Sequence, residues 1–348
     1  MKGKLIIYQL LPRVFGNMRM DNVPGGTLEQ NGTGKFKDIT APVLDEIKKL
    51  NVTHIWYTGV IRHAVHGDYG VKGGAGSPFA ITDYYDVNPY LASREGSRMK
   101  EFEALVSRTK EAGMEVILDF VPNHVSPSYK GTVRPFKDRN FYPGRIHDGD
   151  WSDTVKLNYN DRDTWEKMRD ILLFWAAKGV GGFRCDMVEL VPVDFWHWCI
   201  PEVKKAYPGL IFIGEAYQPD NYRSYFDHGH FDYLYDKSGF YDTLKKIVRG
   251  EAPASSLTAQ WQKIGPYQDR MLNFLRIMTK TAYHRLTLPA VRSEGWPPCS
   301  CRCFSTEPRS CCTSDRSWEK ARKRPRYSIS VRCPRSATGS VASRPEIR

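Results

Sequence analysis

The sequence predicts an α/β protein built as a (β/α)8 TIM barrel. Three observations predict it. Short apolar runs alternate with amphipathic helical stretches from the first strand to about residue 275. Those runs are continuous rather than alternating, as expected of strands buried on both faces of a parallel sheet covered by helices. Acidic residues also stand just past several strand ends, the edge where barrel enzymes gather their active sites. No glycine-rich phosphate loop follows the first run, which disfavours an open nucleotide-binding sheet.

Taken in order, Leu5 to Leu11 reads as a buried strand, Val43 to Leu50 as a helix and Thr53 to Tyr57 as the second strand. Met99 to Ala112 has helical spacing and Gly113 stops it, after which Val116 to Val121 forms the third strand. A short insert follows, about residues 126–161. Thr164 to Ala177 is a helix with Asp163 as its cap. Gly181 to Arg184 leads into a fourth strand and Ile211 to Ile213 into a fifth. Phe231 to Tyr235 and Met271 to Leu275 complete seven.

The net charge of +12 would suit a nucleic-acid partner, but its distribution argues against one. Sixteen Lys+Arg and five Asp+Glu lie from Arg276 onward, so residues 1–275 are almost neutral. No stretch is long and apolar enough for a bilayer, and the opening residues are too quickly polar for a signal peptide. The expected setting is cytoplasmic, with no membrane partner. Cys185 and Cys199 are the body's two cysteines, a sparse usage that suits a reducing compartment. The tail's Cys299, Cys301, Cys303, Cys311, Cys312 and Cys333 lack the paired spacing and nearby histidines of a zinc site. Nothing in the sequence marks an oligomeric state.

Three motifs carry the chemistry. Leu118-Asp119-Phe120-Val121-Pro122-Asn123-His124 is a strand ending in Asp with Asn-His beyond it. Gly182-Phe183-Arg184-Cys185-Asp186-Met187 sets Arg and Asp two residues apart, on the same side of one strand. Ile213-Gly214-Glu215-Ala216 delivers a single Glu. In this order and at strand ends, they resemble the first three signatures of the α-amylase family of glycoside hydrolases. Support comes from Ile7-Tyr8 through Pro12-Arg13-Val14-Phe15 and from Ser77 to Pro89. The resemblance covers about residues 5–275.

The resemblance implies retaining hydrolysis of an α-glucan or maltooligosaccharide, with Asp186 as nucleophile and Glu215 as acid/base. Retention needs two carboxyl groups about 5–5.5 Å apart, one to attack and one to trade a proton. His124, Arg184, Phe79 and Tyr85 are the expected substrate-binding residues. Asp119 is expected to orient Arg184. Asn123 matches a position that helps bind calcium in many family members, so Ca2+ is the one cofactor the resemblance suggests and none is required. The short insert offers no obvious acidic cage, and local hydrogen bonding is the expected job of Asn123. Phe79 stands where relatives commonly carry tyrosine, and Val188-Glu189-Leu190 replaces the familiar Lys-His pair, which bears on leaving-group specificity. The same residues would also suit transglycosylation, α-glucoside isomerisation, or a carbohydrate-binding pseudoenzyme.

The fourth signature is missing. It should follow Phe274-Leu275 and read approximately Glu-Asn-His-Asp-Glu, but the chain reads Arg276-Ile277-Met278-Thr279-Lys280. Codons GAG-AAT-CAT-GAC-GAA, read one base later, give that Arg-Ile-Met-Thr-Lys. Ser310 to Glu319, read one base earlier, can give Leu-Leu-Tyr-Phe-Gly-Gln-Glu-Leu-Gly, which resembles the family's eighth strand. Both stretches need the same shift. Residues 276–348 are therefore expected to be an out-of-frame, disordered tail, with the eighth strand and the C-terminal β-domain lost, and this exact chain impaired.

Overall fold

The computed structural model describes residues 5–19, 21, 23–71 and 73–274, together with the backbone of 301–306 and 309–314. Seven parallel strands pair in chain order: β1 (Leu5–Leu10), β2 (His54–Tyr57), β3 (Glu115–Phe120), β4 (Gly182–Cys185), β5 (Ile211–Gly214), β6 (Tyr233–Tyr235) and β7 (Met271–Leu272). They curl into a partial barrel. Helices α1 (Ala41–Lys48), α2 (Arg98–Glu111), α3 (Arg162–Ala177), α4 (Val193–Ala206) and α5 (Tyr222–Asp227) each follow a strand. α6 (Asp242–Val248) and α7 (Ser256–Ile264) lie between β6 and β7.

Side-chain alternation splits the core in two. Ile55, Tyr57, Leu118, Phe120, Phe183, Cys185 and Phe212 face the helices, against Phe102, Trp175 and Trp196. Ile7, Trp56, Ile117, Ile213, Tyr235 and Leu272 fill the inside of the curl. This period of two determines what reaches the site: Asp119 shares a face with Ile117, and Glu215 shares one with Ile213.

The expected strands and helices form within a few residues of the sequence reading. Asp163 is not the cap of α3. The helix starts at Arg162, and Asp161 caps it by accepting from the Asp163 N–H. Asp163 instead uses its carboxylate on Lys167 and Asn140. Two antiparallel pairs were not anticipated. Ile61–His63 pairs with Ile81–Val87 beyond β2, and His124–Val125 pairs with Val155–Lys156, closing the insert onto the end of β3.

The tail departs from expectation. β8 (Cys301–Thr306) and β9 (Arg309–Ser314) form an antiparallel hairpin, and β9 runs parallel to β1, with Leu5 opposite Arg309 and Gln9 opposite Thr313. The barrel proper remains a curled half of seven strands, as expected of one that has lost its eighth strand, and this extended tail segment lies beside β1 where the sequence reading expected disorder. Without a neighbour the edge of β1 would present bare N–H and C=O groups, and such an edge accepts any extended segment whatever its side chains. β7 and β8 stand at the two ends of the strand order, so hydrogen bonds do not close the described sheet. The remaining tail expectations, including Leu275 and the missing motif at 276–280, lie outside the described residues. Among the described residues, no helix is long and apolar enough to cross a membrane.

Candidate active site

One guanidinium organises the strand ends. Arg184 of β4 is fully buried, with its Nη1 2.6 Å from Asp186 Oδ1 and 3.4 Å from Asp119 Oδ1. Nη2 lies against Glu215 Oε2 as an ion pair without hydrogen-bond geometry, and Nε donates to the Tyr235 hydroxyl at 3.0 Å. The guanidinium sits 5.4 Å from the ring of Trp56 and 5.5 Å from those of Phe79 and Tyr235. Trp56 Nε1 donates to the far oxygen of Asp119 at 3.1 Å. Three carboxyl groups from three strands thus converge on one cation in an apolar enclosure. A buried charge is tolerable only when paired in this way.

Glu215 is held at both oxygens. The Met187 N–H reaches Oε2 at 3.2 Å, and the Tyr217 hydroxyl donates to Oε1 at 2.5 Å. Met187 adopts a left-handed backbone, φ 42°, directly after Asp186. Such a conformation costs a non-glycine residue about 1–3 kcal/mol, and here it turns an N–H toward Glu215. Burial pushes the Glu215 carboxyl above its ordinary pKa; Arg184 opposes the rise and Asp186 adds to it. Burial likewise raises Asp119 to about 7.

The structure places the other expected residues as follows. His124 is buried beside the site, edge-on to Trp151 at 5.6 Å, and burial lowers it to about 4, so its imidazole is neutral. The Phe79 ring lies 5.5 Å from the Arg184 guanidinium. Two assignments are corrected. Arg184 has no exposed surface; it binds carboxylates rather than opening to a substrate. Tyr85 packs edge-on against Phe174 of α3 at 4.9 Å, away from the carboxyl cluster. Alternation in the strand Ile81–Val87 sends its neighbour Tyr84 the other way, to the carbonyls of Val121 and His124.

Asn123 makes the local hydrogen bond expected of it, through Nδ2 to Asp148 Oδ2 at 2.6 Å. The insert is less poor in acid than its sequence suggested, because Asp148 folds back onto the end of β3. Its second oxygen holds Lys156 Nζ at 2.8 Å. Calcium takes six to eight oxygens. Here the amide offers its nitrogen, each carboxylate oxygen already accepts a bond, and no group of three or more His, Cys, Asp or Glu converges as a metal cage among the described residues. The residues present do not fit calcium.

Four contributors escaped the sequence reading. Trp56 and Tyr235 could have been found by following the inner face of each strand, and Tyr217 by counting two residues on from Glu215. Glu189, noted only as a departure, accepts from the Tyr217 and Gln218 N–H groups and from Asn221, fixing the loop that carries Tyr217. A cavity of about 520 Å³ opens elsewhere, between Arg62, His66, Tyr90 and Lys130; none of the clustered carboxyls lines it, so the polar constellation rather than cavity size locates the site.

Residues 9–154 match the family model described as alpha amylase, catalytic domain. Alpha-amylase 3 of Dictyoglomus thermophilum is 27% identical over 203 residues, 50% of this chain and 38% of that protein. The alpha-1,4-glucan:maltose-1-phosphate maltosyltransferase of Picrophilus torridus is 26% identical over 246 residues, 62% of this chain and 33% of that protein. The crystal structure of an α-amylase from Lactobacillus plantarum superposes with a TM-score of 0.60 at 28% identity, covering 74% of this chain and 58% of that one. The chain therefore spans between a third and two fifths of the length of these curated relatives.

Proposed function

Since the chain belongs to the α-amylase family, we propose that its barrel is that of a retaining glycosidase acting on α-glucans or maltooligosaccharides. The observation that carries this is the convergence of Asp186 and Glu215 on the single guanidinium of Arg184. Two nitrogens of one rigid fork hold the carboxyls close, in keeping with the separation of about 5–5.5 Å that retention uses. Asp186 attacks the anomeric carbon as Glu215 protonates the departing oxygen, giving a glycosyl ester. Glu215, now ionised, takes a proton from the water that attacks the same carbon, and Asp186 leaves. Phe79 and His124 border the sugar bound between them. Asp119 holds Arg184 from the far side and does no chemistry.

The maltosyltransferase relative favours a second reading, transfer to a sugar acceptor instead of water. The two differ only in what reaches the glycosyl ester, so the ratio of longer products to hydrolysed ones separates them. A cytoplasmic setting accords with the two buried free thiols, Cys185 and Cys199.

We also infer a single-base loss near Leu275, which leaves this exact chain impaired. The stretch whose codons regain an eighth-strand motif includes Ser310 to Ser314, and that backbone runs beside β1, the neighbour an eighth barrel strand would have. The experiment is to express the chain as written and with one base restored, and to assay both on maltopentaose. Turnover by the restored protein alone, abolished by Asp186→Asn, supports the whole reading. Equal turnover by both contradicts the frame inference. Absence of turnover from either contradicts the enzymatic one.

A further inference from the structure

The insert is fastened to the barrel by a side-chain cation. Asn123 stands three residues past β3, and its Nδ2 donates to Asp148 Oδ2 at 2.6 Å. Asp148 Oδ1 accepts from Lys156 Nζ at 2.8 Å, with both side chains about four-fifths buried. Lys156 lies directly opposite His124 in the two-residue ladder His124–Val125/Val155–Lys156. Its backbone N–H bonds to the Ile146 carbonyl at 2.9 Å, and the next N–H, of Leu157, bonds to the Asn123 carbonyl at 2.9 Å. One ammonium therefore joins the residue before His124 to the far limb of the insert.

We propose that Lys156 is the insert's resident cation, supplying from the chain the positive charge that closes the insert over the site and making this closure independent of calcium. Charge balance favours it. The Asp148 carboxylate meets the Lys156 ammonium at one oxygen and the Asn123 amide at the other, so a divalent ion would meet a carboxylate already bonded at both oxygens. Geometry agrees: calcium wants oxygens at about 2.3–2.6 Å, and the Asn123 amide turns its nitrogen inward. The tie also bears on the site, because Asn123 and Lys156 flank His124 in sequence and across the ladder. Closure by Lys156 keeps His124 against Trp151.

The test reads the full chain and needs no turnover. Chymotrypsin cleavage within residues 126–161, which hold Phe141, Tyr142 and Trp151, is timed with excess EDTA and with millimolar CaCl2. Binding of terbium, a luminescent calcium mimic, is followed alongside. The parent's cleavage rate should be the same in both buffers, with no saturable terbium signal. Lys156→Met should speed cleavage about tenfold, in line with losing a partly buried charge-assisted bond, and Lys156→Arg should restore most of the protection. Calcium-slowed cleavage of the parent, or stoichiometric terbium binding abolished by Asp148→Asn, would overturn the proposal. So would an unchanged rate in Lys156→Met.

Discussion

The Tyr217 hydroxyl donates to Glu215 Oε1 across 2.5 Å, while the other oxygen of that carboxyl faces the Met187 N–H and Arg184. The bond favours the ionised form, and it works against the burial that raises Glu215. A general acid must be protonated, so activity falls as pH rises through its pKa. Tyr217→Phe removes a donor to the carboxylate and should move the alkaline limb of kcat/KM upward by about one pH unit in the frame-restored protein. A limb that stays put or moves down would separate Tyr217 from the proton.

A second expectation concerns acid lability. Burial depresses His54 and His124 to about 4 and His63 to about 3, against an ordinary 6.5. Below 6.5 the unfolded chain binds protons that the folded chain refuses, so stability is present above that pH and is lost progressively toward pH 4. Asp119, raised to about 7, and the raised Glu215 act in the opposite sense over the same range, so the histidine contribution is read as a difference between variants. His63→Gln, which removes the most depressed of the three, should lose less stability than the parent in urea midpoints between pH 7 and pH 5, even if it lowers the plateau. The same pH dependence in His63→Gln and the parent would contradict this.

The two aromatic residues offered by the sequence now separate. Tyr85 packs on α3, so Tyr85→Phe should leave kcat/KM within twofold of the frame-restored parent. Phe79 faces the guanidinium at 5.5 Å, and Phe79→Ala should cost tenfold or more on a maltooligosaccharide, with the far-ultraviolet circular dichroism unchanged. The reverse ranking, measured by steady-state kinetics, would return Tyr85 to the site.

Legibility in the sequence followed locality. Strands β1 to β7 could be read because continuous apolar runs between helical stretches leave few alternatives, and Asp119, Arg184, Asp186 and Glu215 because each ends a strand. Tyr85 was misread because its neighbours resemble a sugar-binding motif, whereas its direction depends on the pleat of a strand that pairs with Ile61–His63. Asp148 and Lys156 were invisible for another reason. They lie 25 and 33 positions beyond Asn123, and the insert's own fold brings them back. The site of β9 beside β1 was equally beyond reach, since an open edge selects extended backbone rather than side-chain pattern.

The most direct measurement is to trap the glycosyl-enzyme. A Glu215→Gln variant of the frame-restored protein, given α-maltosyl fluoride, needs no acid to expel fluoride but lacks the base that would activate water. Acid quenching and peptide mapping by mass spectrometry should find a maltosyl group esterified to Asp186, and none when Asp186→Asn is added. A maltosyl ester on another carboxylate, or fluoride release undiminished by Asp186→Asn, would contradict the account.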